Sequence, residues 1–337
     1  MPSTLEPYTT TYRSASSLPE EVWDALRSNP QNSNCILPIA LKSLAREQRR
    51  ETAPRDQCWI VVRSFGAIDF ILSVTNGDLG TYPAFVFTTH PIHRLTPEFL
   101  LPRLIRLAEA LRAAVPIKRV YSFFAPDAVT KMLVEIWFSL TGVQGYQDPY
   151  YHAKLSYCTK QSFVNRRMTT FPGLVYELRP AVESDLEGVA SLCYQFAADS
   201  EPFTLSHESA IKEAAILIRN QQIWVHGMRF DGDVHEDIAS IVAFTRNSDN
   251  VATISKVFTN PTWRRRGCAE RLVRRVCKHL LATKQSVALF VAHSNPGATK
   301  VYDRVGFRGL DGGAPVEGVD SWLEIGLDRS KIELGHW

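Results

Sequence analysis

The stretch TNPTWRRRGCAERLVRRVCKHLL, residues 259–281, decides how the rest of the chain is read. Asn260-Pro261 ends one periodic run. Arg264, Arg265 and Arg266 stand side by side, Gly267 and Cys268 follow, and Ala269 comes next. Leu272, Val273, Val276, Cys277, Leu280 and Leu281 then recur at helical spacing and predict an amphipathic helix. Directly upstream, VATISKVFT reads as a strand. A helix start leaves N–H groups unpaired and carries a partial positive charge. Gly267 lets a ligand approach the backbone, and Ala269 keeps the first turn slim. Residues 264–269 therefore make an anion cradle suited to a pyrophosphate, with the arginines adding charge at its lip. Arg271, Arg274, Arg275 and Lys278 fall opposite the apolar face. They read as a solvated stripe, with Glu270 placed to pair with Arg274 at i, i+4.

The rest of the composition limits what that basic run can mean. The chain has 337 residues, 45% hydrophobic and 22% charged, with a formal net charge of only +3. That is ordinary globular composition, long enough for two domains with cores of their own. A dedicated nucleic-acid binder carries more positive charge, so no nucleic-acid partner is expected. Cys35, Cys58, Cys158, Cys193, Cys268 and Cys277 are irregularly spaced and form no C-x-x-C pair. Free thiols are expected rather than a disulfide framework or a metal cage. The first twenty residues lack the layout of a signal peptide, and no apolar run approaches the ~20 residues of a membrane span. The expectation is a cytoplasmic protein with no membrane partner. Monomer and homodimer stay equally open.

Two halves are legible. Residues 1–156 form one, 157–173 a polar linker, and 174–337 the other. In the second half, LVYELRP is a strand, and Ser184 with Glu187 fits a capping box for the helix that follows. The predicted order there is β-α-α-β-β-β-α-β-α-β, a mixed α/β sheet with helices on both faces. The first half repeats this order more weakly. A constant offset pairs Thr89 with Thr259, Pro91 with Pro261, Arg94 with Arg264, Pro126 with Pro296 and Ala128 with Ala298. An ancient duplication is the reading.

Two motifs of the second half, in order and with the right elements between them, resemble the GNAT acyltransferase superfamily. One is R-x-x-G-x-A, Arg264 to Ala269, after a strand. The other is N-x-x-A-x-x-x-Y-x-x-x-G-F, from Asn295 through Ala298 and Tyr302 to Gly306 and Phe307. The resemblance implies two GNAT-like domains, each a mixed, mostly antiparallel twisted sheet flanked by helices. It implies acetyl-CoA as co-substrate and no metal. The cradle of Arg264, Arg265, Arg266, Gly267, Cys268 and Ala269 would hold the pyrophosphate. The acyl arm would run along Lys256, Val257, Phe258 and Thr259, in a gap where this strand splays from SVALFVAHS. The Val257 N–H would polarise the thioester carbonyl. Tyr302 would protonate the departing thiolate. Asn295 would bond the cofactor arm or cap its helix.

One departure concerns the general base. Relatives often carry a carboxylate on the strand before the cradle, and ATISKVFT has none. Thr253 and Ser255 can hold a water, and Lys256 is a poor base unless burial lowers its pKa. Glu201, Glu208, Asp249 and His226 are further candidates, none preferred, so a water relay is the default. His293 reads as a core histidine. In the first half the offset sets Pro97 against Gly267, Phe99 against Ala269 and Met132 against Tyr302. A proline lacks the N–H and a phenylalanine fills the phosphate space, so that half is expected to bind no cofactor. Its aromatic stretch GYQDPYYHAKLSY is expected to help wall the acceptor pocket. The resulting expectation is an N-acetyltransferase acting on the amine of a small molecule or amino acid. The alternative is a non-catalytic acyl-CoA-binding protein.

Overall fold

A computed structural model describes residues 6–51, 54, 56–166, 172–233 and 235–336. In chain order the elements are β1 (Tyr8–Tyr12), α1 (Glu20–Ser28), α2 (Leu37–Gln48), β2 (Cys58–Ser64), β3 (Ala67–Val74), β4 (Ala84–Thr88), α3 (Pro97–Ala114), β5 (Ser122–Pro126), α4 (Asp127–Thr141) and β6 (Tyr151–Thr159). There follow β7 (Leu174–Pro180), α5 (Leu186–Ala198), α6 (His207–Arg219), β8 (Ile223–Phe230), β9 (Asp237–Asn247), β10 (Val251–Thr259), α7 (Cys268–Leu280), β11 (Ser286–Ala292), α8 (Pro296–Val305) and β12 (Ser321–Gly326). The chain divides into two compact units. One is Met1–Lys154 with Asp320–Trp337, and the other is Leu155–Val319.

In the first unit the strand order is β1-β2-β3-β4-β5-β12-β6, antiparallel except for the parallel pair β4–β5. Cys58, Ile60 and Val62 of β2 face α3 and α4 in one core, with Leu104, Leu107, Leu111, Leu133 and Trp137. Trp59 and Val61 point the other way and are equally buried, and Arg63 reaches Glu21 of α1 at 2.5 Å. Strands buried on both faces read as near-continuous apolar runs, as WIVV does here.

The second unit has the order β11-β10-β9-β8-β7, with the end of β6 beyond β11. Period-2 alternation sorts its side chains cleanly. Trp224, Val242, Phe244, Ala252 and Ile254 pack with α7 and α8. Ile223, Val225, Ile241, Ala243 and Phe258 pack with α5 and α6. The predicted order of strands and helices matches what is seen, and both sheets are mixed with helices on both faces.

Three expectations need correction. The sequence places residues 320–337 in the second half, but residues 320–336 pack with the first unit. There β12 pairs with β5 from Trp322↔Pro126 to Gly326↔Ser122. A strand's partner is a tertiary matter on which strand pattern is silent. The linker reading of 157–173 fails at its start, since residues 157–159 end β6, and 167–171 lie outside the described residues. The cap at the start of the α5 region is Asp185 rather than Ser184. Its carboxylate accepts from the Val182 N–H at 2.8 Å and from both terminal nitrogens of Arg179.

Candidate active site

The site begins where two strands part. β10 runs parallel to β11, but the pairing lasts only from Val251↔Ser286 to Ile254↔Leu289. Residues 255–259 continue antiparallel to β9 alone. Register shifts on both sides of Ile254 mark a bulge at the parting. Downstream of it the alternation is regular. The Asn260 N–H donates to the Ala239 carbonyl at 3.0 Å, and the Ser240 hydroxyl donates to the Phe258 carbonyl at 2.8 Å, so both residues face β9. Hydrogen-bonding groups on a strand alternate between its edges. Val257 and Thr259 therefore turn theirs to the open edge. The Val257 side chain lies on the α7 side, and Phe258 packs with Phe196 of α5 at 6.4 Å on the other side.

At the end of β10 a short turn, residues 261–263, leads into the cradle. Arg265 has φ 62° and Gly267 φ 72°, two left-handed residues ahead of α7. A Cβ on Gly267 would meet only Arg271 Nε, at 3.8 Å, so the glycine answers a conformational need. Gly267 caps α7 without any side-chain hydrogen bond to the first turn. Arg264, Arg265, Arg266 and Gly267 are exposed, Ala269 is half-buried and Cys268 is buried. Arg264 donates from Nε to the Thr259 carbonyl at 3.2 Å and lies 5.3 Å over Phe258. Arg266 lies 5.1 Å over Trp263. The result is an exposed helix N-terminus with no anionic cap of its own and three cations at its rim. A pyrophosphate fits those donors.

The stripe on α7 is not all solvated. Arg274 is buried and holds three groups. It donates to Glu270 Oε1 at 2.7 Å, to the Arg304 carbonyl at 3.1 Å and to the Val164 carbonyl. Arg275 is exposed, lying 5.5 Å over Trp224, and Lys278 is exposed. Helical spacing places Arg274 on the polar face. The tertiary neighbours of that face turn it into an interior anchor.

On α8, Asn295 caps the helix, accepting from the Ala298 N–H at 3.0 Å. Tyr302 is buried against Phe307, ring centres 5.7 Å apart, in the core between α7, α8 and β11. Gly306 ends α8 at φ 108°, and a Cβ there would lie 2.0 Å from the Ser162 carbonyl oxygen. Chain reversal and close approach both require glycine at that position.

The base candidates scatter. Glu201, Glu208 and Asp249 are exposed. His293 is exposed too, past the end of β11, and not a core residue. His226 is buried under the start of α7, on the face away from α5 and α6. The Thr253 hydroxyl is fully buried without a hydrogen-bond partner among the described residues. Sequence reasoning passed over Glu213 of α6. Its Oε2 accepts from Lys256 Nζ at 2.6 Å, with both side chains nearly buried (13% and 10% exposed). No local signal marks a contact across 43 positions.

At the matching place in the first unit the helix start carries a proline and a side-chain cap. Pro97 opens α3, and the Thr96 hydroxyl caps it by accepting from Phe99 N–H. The Phe99 ring lies 3.9 Å from the Arg103 guanidinium and 4.7 Å from His90. The Asp69 carboxylate accepts from Arg103 at 2.9 Å and contacts His90 at 2.8 Å. Met132 packs against the apolar core. Tyr146 and Tyr150 of the aromatic stretch flank Arg329, whose guanidinium lies 5.8 and 5.4 Å from their rings.

Among the described residues no group of His, Cys, Asp and Glu could hold a metal ion, and no helix is long and apolar enough to cross a membrane. All six cysteines are free and buried.

Residues 232–312 match the family model described as FR47-like protein, a span that contains β9, β10, the cradle, Asn295 and Tyr302. Comparison with curated protein sequences returns no match. Among solved structures, a Drosophila protein is 13% identical at a TM-score of 0.62, covering 95% of this chain and 98% of its own. A GCN5-related N-acetyltransferase from Sphaerobacter thermophilus is 15% identical at 0.54, covering 99% and 98%. A tandem GNAT protein from the clavulanic acid biosynthesis pathway is 13% identical at 0.51, covering 95% and 98%. At these identities the likeness gives the fold, and that fold is the GNAT acetyltransferase fold.

Proposed function

We propose that the second unit is an acyl-CoA-dependent N-acyltransferase, most simply an acetyltransferase acting on a small amine or amino acid, and that the first unit binds no cofactor. The observation that carries this is the parting of β10 from β11 after Ile254, with a glycine-opened helix start at the end of the freed strand. An open strand edge and an uncapped helix N-terminus, joined by a short turn, suit an extended ligand with an anionic end. Arg264, Arg265, Arg266 and the N–H groups after Gly267 would hold the pyrophosphate. Val257, Phe258 and Thr259 would line the arm, and Asn295 would add a contact beside its capping role.

Acetyl-CoA would supply the activated acyl group. The Val257 N–H would stabilise negative charge developing on the carbonyl oxygen. Tyr302 would give its phenolic proton to the departing sulfur. Holding the acyl group in one place turns attack by an entering amine into a local event. The amine's proton would leave through water.

Free thiol released from acetyl-CoA, followed with the full chain and a panel of primary amines and amino acids, tests this. Acceptor-dependent release is the expected result. CoA binding without release from any acceptor would instead favour the acyl-CoA-binding alternative, which the carboxylate-free strand β10 leaves open.

A further inference from the structure

Resting on that reading, we infer that the Lys256–Glu213 ion pair is a positioning device for the Val257 N–H. Lys256 is the first regular residue after the bulge and immediately precedes Val257 in the sequence. Its side chain leaves the sheet on the α5–α6 face, opposite to Val257. There Nζ meets Glu213 Oε2 at 2.6 Å and lies 4.9 Å over the ring of Phe196. Cys193 adjoins both charges, and burial pushes its pKa up to about 12, so it remains a neutral thiol.

The reason to assign a role beyond stability is physical. A nearly buried ion pair loses the hydration of both ions, and apolar residues of equal volume often stabilise as well or better. What a charged pair adds is direction, because it is satisfied in one geometry only. β10 needs direction at this place. Upstream of Ile254 the strand is held on both edges, and downstream only β9 holds it. A strand with one free edge can twist about its remaining ladder. The Val257 N–H must nonetheless point at one spot in the gap. Lys256 fastens the backbone one residue away to α6. Neither side chain need touch the reacting atoms. A displacement of about 1 Å at an electrostatic donor is enough to lower a rate by roughly 100-fold.

The test compares the full chain with Lys256→Met/Glu213→Leu, an apolar replacement of the pair, and with Lys256→Arg, which keeps it. Denaturation midpoint, CoA affinity by calorimetry, kcat, and the carbonyl stretch of bound acetyl-CoA labelled with carbon-13 are measured for each. The double variant is expected to keep its midpoint and to bind CoA within about 3-fold. Its kcat should fall roughly 10- to 100-fold, and the downshift of the bound carbonyl stretch should shrink. Lys256→Arg should recover most of both. A double variant with the wild-type kcat and carbonyl stretch would overturn the assignment, as would CoA affinity lost in step with kcat. If the double variant does not fold, Glu213→Gln carries the same two readouts, and an unchanged carbonyl stretch there would overturn it equally. Absence of acyl transfer in the unmodified chain would instead remove the proposed function on which the inference stands.

Discussion

His226 Nδ1 donates to the carbonyl oxygen of Cys268 across 3.3 Å, tying the middle of β8 to the first residue of the cradle helix. A carbonyl can only accept, so Nδ1 carries the proton, and Nε2 is left buried with no partner among the described residues. Burial, with the charge of Arg271 adding to it, pulls the pKa from 6.5 down to about 4. The unfolded chain therefore binds this proton more readily than the folded one. Stability is complete above about pH 6.5 and is lost as pH falls toward 4. Near pH 5 the loss is about 2 kcal/mol. Urea midpoints at pH 7.5 and 5 should differ accordingly, and His226→Phe should flatten that difference.

Gly267→Ala tests conformation rather than space. No neighbour would clash with the added methyl, but φ 72° costs an L residue about 1–2 kcal/mol. The expected outcome is a stability loss of that size together with CoA binding weakened by an order of magnitude or more. Calorimetry should give one CoA per chain for the unmodified protein and little residual binding for the variant, since the matching helix of the first unit starts with Pro97 and a Thr96 side-chain cap.

Tyr302→Phe removes one hydroxyl and keeps the ring that packs on Phe307. The fold and CoA affinity should be retained. Turnover should fall roughly 100-fold or more, as expected for loss of a general acid. A fully active variant would move the acid elsewhere without disturbing the fold assignment.

Arg274 and Arg275 are adjacent, and their variants should behave differently. Arg274→Ala strips Glu270 and two carbonyl groups of a buried donor, so a loss of roughly 3 kcal/mol is expected. Arg275→Ala removes one exposed contact with Trp224 and should cost about 0.5–1 kcal/mol. Thermal unfolding of the two variants measures the contrast.

Much of this was legible in the chain because it is local. Helical spacing from Leu272 to Leu280 reports an apolar face whatever lies against it. Gly267 and Gly306 both sit at positive φ, and each is placed just outside a helix where such a residue is useful. Pro97 at the start of α3 is equally local, a residue type that suits the first helical position. The misreadings differ in cause, one a distant contact and the other a strand boundary. Arg274 was read from its own helix, while its partners Val164 and Arg304 lie far away in sequence. His293 reads as part of the strand SVALFVAHS, yet β11 ends one residue earlier, at Ala292.

By itself the sequence determined the order of strands and helices, the glycine that opens α7 and the asparagine that caps α8. Those are properties of short segments, set by side-chain period, backbone freedom and spacing within one turn or strand. Only the tertiary structure decided that β12 completes the first unit, that β10 leaves β11 after Ile254, and that Lys256 meets Glu213 across 43 positions. Such pairings arise when distant segments bury their surfaces together, and no local preference of either segment encodes the partner it will find.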